Sequence, residues 1–137
     1  MLLSILGTKM YKYYNPNPTG KQVGDCVIRG ISRVTGMSWD ETYIEICLMG
    51  LELKDMPSAN HVWESYLLGR GFTRHFISCD ACPMLYTVRD FCDDHPIGEY
   101  LLSTGTHVVA INNGNYYDAW DSGNEVPVYY WAKERSK

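Results

Sequence analysis

The sequence predicts a single α+β domain, from three observations. Apolar residues recur at helical spacing through the first half of the chain; strand-like runs with hairpin chemistry fill the second half; and 137 residues leave room for one compact core. The first helix begins at Gly24-Asp25-Cys26, after a loop that two prolines and a glycine enforce (Asn15-Pro16-Asn17-Pro18-Thr19-Gly20). Val27, Ile28, Ile31 and Val34 give its apolar face, Asp25 reads as its N-cap, and Gly36 closes it. Ser38-Trp39-Asp40-Glu41 is a capping box opening a second helix through Tyr43, Ile44, Cys47 and Leu48 to about Gly50, with Cys47 as core. A third helix starts near Ser58 and carries Val62, Trp63, Tyr66 and Leu67.

Then the periodicity changes. Phe72 to Ile77 reads as a strand, Cys79 to Tyr86 as a loop, and Thr87 with Asp90 caps a short helix ending before Pro96. Four further strands are expected: Tyr100 to Ser103, His107 to Ile111, Tyr116 to Trp120, and Val126 to Trp131. Asn112-Asn113-Gly114-Asn115 supplies a hairpin turn between the second and third of these. The domain is expected to span 13–132, with 1–12 an N-terminal extension and 133–137 a solvated tail. Met10 offers an alternative start. The apolar run Leu2 to Leu6 is too short for a membrane span.

Composition narrows the function. Twelve basic against 16 acidic residues give a net charge of −4, which argues against partners held by phosphate, whether nucleic acid or an anionic membrane surface. Five cysteines, an odd number at irregular spacing, make a poor disulfide framework. The chain therefore reads as a protein of a reducing, cytoplasmic compartment, its cysteines serving as packing, ligands or nucleophiles.

Cys26 stands where a reactive cysteine belongs, because the unpaired N–H groups at a helix start favour the thiolate. That effect is worth only ~0.3–1 kcal/mol, so a further partner is needed. His107, following Gly105-Thr106 at the head of an apolar strand, can take the thiol proton. A carboxylate must then orient the imidazole. A two-residue Asn113-Gly114 turn pairs 112 with 115 and puts Asp118 on the His107 face; a bulge or a longer turn selects Asp121 instead.

These residues, in this order and context, resemble the papain-like cysteine peptidase superfamily. Gly24-Asp25-Cys26 opens a helix, Thr106-His107-Val108-Val109-Ala110 lies on a strand, and Asp118-Ala119-Trp120 lies on the next. The similarity is to compact bacterial and phage members such as the double-glycine leader peptidases, and covers roughly residues 13–131. It implies a papain-like fold, with N-terminal helices packed on a C-terminal antiparallel sheet. It also implies a Cys26–His107–Asp118 triad with Trp120 shielding the His107 contact, which favours Asp118 over Asp121. The oxyanion-hole Gln of that family falls, six residues before Cys26, on Gly20 here. Gln22 is the expected substitute, with Asn15 and Asn17 as alternatives.

The expected activity is cleavage of a peptide or isopeptide bond in a peptide or protein substrate, without a cofactor. Deamidation or acyl transfer would use the same groups, and a non-enzymatic peptide-binding domain is the alternative of a different class. Cys79, Cys82, Cys92 and His95 form a C-x2-C…C-x2-H pattern compatible with structural zinc. Against it, Cys92 falls with Val88 and Phe91 on a plausible core stripe. His61 and His75 read as surface residues, and Val128 to Trp131 as sheet packing.

Overall fold

A computed structural model describes residues 10–77 and 85–133. Among these, six strands and four helices follow along the chain in the order β1 (Tyr11–Tyr13), α1 (Cys26–Thr35), α2 (Trp39–Leu53), α3 (Asn60–Gly69), β2 (Phe72–Phe76), α4 (Val88–Asp94), β3 (Glu99–Ser103), β4 (Val108–Asn112), β5 (Asn115–Asp118) and β6 (Tyr129–Lys133). The strands form one sheet in the order β1-β5-β4-β3-β6-β2. The class is α+β. The sheet is mixed rather than purely antiparallel, because β1 runs parallel to β5, pairing Tyr13 with Asp118. Ordered pairing thus begins at Tyr11 and extends to Lys133, slightly beyond the expected limits of 13 and 132 at both ends.

Period-two alternation gives the sheet two buried faces. Leu101, Val108, Ala110 and Trp131 pack with Ile31, Ile46, Val62, Trp63 and Leu67 from the first three helices. Their strand neighbours Leu102, Val109, Ile111 and Tyr116 pack with Val88, Phe91 and Cys92 of α4. Gly30 sets the spacing on the first face. A Cβ there would lie 2.7 Å from Leu101 Cδ1 and 3.1 Å from Val108 Cγ1, so only glycine lets α1 settle this close to β3 and β4.

The hairpin turn has the expected chemistry. Asn113 and Gly114 both adopt positive φ, 48° and 79°, and Asn112 pairs with Asn115 as the two-residue turn requires. Both capping boxes are formed, Ser38 with Glu41 and Thr87 with Asp90. Gly36 caps α1 in the left-handed region.

Three expectations are corrected. Asp25 occupies the N-cap position of α1, but its side chain makes no capping bond, being drawn instead to Arg29 and Trp39. The buried face of α2 is Thr42, Ile46 and Gly50, not the Tyr43, Ile44, Cys47 and Leu48 stripe. Tyr43, Ile44 and Leu48 are exposed and Cys47 is half-buried. The reason lies at Gly50, whose missing side chain admits the Asp55 carbonyl and Pro57, so the turn after α2 closes over that face. Finally, His107 lies one residue before β4, and β5 ends at Asp118 instead of Trp120.

Candidate active site

Cys26 is the first residue of α1, so its own N–H and those that follow lack partners within the helix. His107 reaches it from the β3–β4 connection. There the Thr104 N–H bonds the His107 carbonyl at 2.9 Å, and the His107 N–H bonds Thr104 Oγ1 at 3.0 Å. Gly105, at φ 102°, makes this tight return possible. The turn and the close approach at Gly30 together bring strand and helix start into contact.

The three residues form a hydrogen-bonded series. His107 bonds Asp118 Oδ2 through Nε2 at 2.7 Å, which leaves Nδ1 for the neighbouring Cys26 thiol, with which it interacts favourably. The backbone N–H of Val108 adds a favourable interaction with the Cys26 thiolate. Trp120 packs over the imidazole with ring centroids 4.9 Å apart. Burial alone would raise the Cys26 pKa, but the His107 hydrogen bond and charge, the Val108 N–H and the Arg29 charge outweigh it, so the thiol sits below its ordinary range. Burial likewise opposes the charged form of His107. The hydrogen bonds and charges of Asp118 and Cys26 win, and its pKa rises to about 9.

Asp118 is fully buried. Its Oδ1 accepts from Arg29 Nη2 at 2.7 Å and from the Ala119 N–H at 2.8 Å; its Oδ2 accepts from His107 Nε2 and from Ser122 Oγ at 2.5 Å. All four acceptor directions are used, so the carboxylate cannot turn without breaking a bond. Desolvation pushes its pKa up, but the His107 and Ser122 bonds and the charges of His107 and Arg29 hold it below the usual carboxylate range. Asp121 is elsewhere. It accepts from the Tyr116 hydroxyl and from Arg89 on the other side of the strand.

Cys26 and His107 line a cavity of about 320 Å³. Its apolar wall includes Val27, Ile28, Tyr43, Ile46 and Pro57, and its rim Ser103, Gly105 and Thr106. None of the three amides proposed for the oxyanion contact lies in that wall. Gln22 is exposed. Asn15 Nδ2 donates to the Gly20 and Lys21 carbonyls, and Asn17 Oδ1 accepts from the Thr19 N–H and hydroxyl. The amide donor of Asn15 is thus engaged within its own loop. The backbone N–H of Cys26 remains as donor.

Of the zinc pattern, Cys79 and Cys82 lie outside the described residues. Cys92 is 2% exposed in the α4 core, and His95 stacks on Phe91 while its Nδ1–H donates to the Phe91 carbonyl. Among the described residues no group of three or more His, Cys, Asp and Glu side chains converges on one point.

Sequence reasoning missed Arg29 and Ser122. Arg29 had a local signal in its i, i+4 spacing from Asp25; Ser122 had none. Comparison with protein-family models, curated proteins and solved structures gave no match for this chain. Among the described residues no helix is long and apolar enough to cross a membrane.

Proposed function

We propose that the protein is a papain-like thiol hydrolase that cleaves peptide or isopeptide bonds through Cys26, His107 and Asp118. The observation that carries this reading is the hydrogen-bonded series Cys26–His107–Asp118 at a helix start, opening on an apolar cavity. The Cys26 thiolate attacks the substrate carbonyl carbon, forming a C–S bond and an oxyanion that the Cys26 N–H holds. The His107 imidazolium gives its proton to the leaving nitrogen as the C–N bond breaks. His107 then takes a proton from water, whose oxygen attacks the thioester carbon, and loss of the C–S bond restores the thiolate. Asp118 keeps the imidazole in position and stabilises its charged form throughout.

The side-chain amide missing from the cavity wall favours a second reading, a domain that binds a peptide without cleaving it. One experiment separates the two. Parent and Cys26→Ala protein are incubated with a complex peptide mixture, and new termini are sought by mass spectrometry; in parallel an electrophilic thiol probe is applied near neutral pH and its position mapped. Hydrolysis and Cys26 labelling that both vanish in Cys26→Ala support the hydrolase. Labelling without any new termini favours the binding domain. A Cys26 that labels no faster than an ordinary free thiol refutes the triad.

A further inference from the structure

Behind the triad lies a buried ionic chain that takes no part in the proposed bond-making and bond-breaking steps. Arg29, one turn along α1 from Cys26, is 5% exposed. Its Nη1 is bonded to Asp25 Oδ1 and its Nη2 to Asp118 Oδ1. Asp25 is 7% exposed, and its other oxygen accepts from Trp39 Nε1 at 2.8 Å. The series therefore starts at the first turn of α2 and passes through Trp39, Asp25, Arg29, Asp118 and His107 to Cys26. With the thiolate and imidazolium formed, its charges alternate: Asp25 negative, Arg29 positive, Asp118 negative, His107 positive, Cys26 negative.

We propose that Arg29 is a positioning residue of the site: its guanidinium, clamped by Asp25, fixes Asp118 with Oδ2 toward His107 and adds a positive charge behind the Cys26–His107–Asp118 series. The fork geometry supports this. A planar guanidinium can hold two carboxylates on separate nitrogens at once, and an ammonium cannot. A buried ion pair by itself adds little stability over an apolar replacement. Retaining three buried charges beside a reactive thiol is therefore better accounted for by the site than by the fold. Apart from His107, the groups facing the chain add no positive charge to it. Tyr11 of β1 donates its hydroxyl to the Asp118 backbone carbonyl at 3.2 Å, Ser122 is neutral, and Tyr43 of α2 lines the cavity. Trp39, at the start of α2, gives Asp25 a neutral N–H.

The inference rests on the thiol-hydrolase reading, and its test separates the two. The rate of Cys26 alkylation by iodoacetamide is followed against pH, read by peptide mapping, together with peptide hydrolysis and the denaturant midpoint. The variants are Arg29→Lys and the double variant Asp25→Asn, Arg29→Gln, which removes the Arg29 charge together with its Asp25 counter-charge and leaves Asp118 paired with His107. The double variant should keep a cooperative unfolding transition, while its acid limb of alkylation moves up in pH, an approximately two- to threefold loss of rate on that limb. Arg29→Lys should keep the acid limb of the parent, because the charge remains, yet lose about tenfold in hydrolysis because the fork is gone. A folded double variant with the parent's acid limb overturns the electrostatic role. If the double variant does not fold, Arg29→Lys decides, and parent-like hydrolysis there overturns the positioning role. A parent protein with no acid limb below the ordinary thiol range refutes the hydrolase reading itself, whatever the variants do.

Discussion

Two cysteines, each near a histidine, sit on opposite faces of the same sheet and have opposite chemistry. Cys26, on the α1–α3 side, is hydrogen-bonded to an imidazole that a buried carboxylate charges, and its thiol is more acidic than usual. Cys92, on the α4 side, lies among Val88, Phe91 and Tyr116; burial, with some help from Asp93, pushes its pKa up to about 12. Its nearest histidine, His95, is spent on aromatic stacking, with ring centroids 3.8 Å from Phe91 and 5.1 Å from Tyr100. Proximity to histidine is thus no sign of reactivity. What differs is whether a carboxylate and an open cavity accompany it.

The largest expected effect tests the reactive side. His107→Ala removes both the proton acceptor and the charge that lowers the Cys26 pKa, and hydrolysis should fall by about 10²–10⁴-fold. Cys92→Ala should leave hydrolysis within a small factor of the parent. Rates of a chromogenic or fluorogenic peptide would check both, and similar losses in the two variants would dissolve the contrast.

The other face should respond in stability instead. Phe91, 1% exposed, contacts the rings of His95, Tyr100 and Tyr130. Phe91→Ala should cost about 3–5 kcal/mol in denaturant unfolding. The Cys26 alkylation rate of the molecules still folded should stay unchanged. A large change in that rate would mean that the two faces are coupled through β3 and β4.

A third measurement uses pH. In the proposed mechanism hydrolysis needs the imidazolium to protonate the leaving nitrogen, and the His107 pKa is raised to about 9. Hydrolysis should therefore decline above about pH 9, approaching tenfold per unit, while alkylation of the thiolate does not. The linkage has the same sign. The folded pKa of His107 lies above its ordinary 6.5, so the stability it contributes is full below 6.5 and is lost as pH rises through about 9. Cys92, with its thiol near 12, should show neither limb in this range.

This contrast also marks how much of the molecule could be read from the sequence. The Asn113-Gly114 turn set the register that puts Asp118 with His107, and Cys26 was legible because a short loop and a helical apolar pattern meet there. Cys92 was legible as core from its place beside Phe91 on one helix stripe. The Arg29–Asp118 bond was not, because it joins residues 89 positions apart and no periodicity encodes it. The buried face of α2 was missed for a related reason. Leu48 and Ile44 look like core in one dimension, but the close approach at Gly50 turns Thr42 and Ile46 inward instead. An amide donor of the 15–22 loop was not legible either, because the Asn15 side chain can bond nearby backbone carbonyls as readily as reach into the cavity.

The smallest effect compares two like devices, one on each face. Ser38 and Thr87 each close a capping box, and replacing either with Ala should cost about 1 kcal/mol. They differ in what the first turn beyond the cap carries. The turn after Ser38 holds Trp39, whose Nε1–H anchors Asp25 and through it the Arg29–Asp118 pair. The turn after Thr87 opens α4 and leads to Phe91 and Cys92, remote from Cys26. Thr87→Ala should therefore lower the denaturant midpoint alone. Ser38→Ala should lower it by a similar amount and also slow Cys26 alkylation on its acid limb, because a frayed α2 start loosens Asp25. Equal midpoints with equal alkylation rates in the two variants would show that the ionic chain ends at Asp25 and draws nothing from α2.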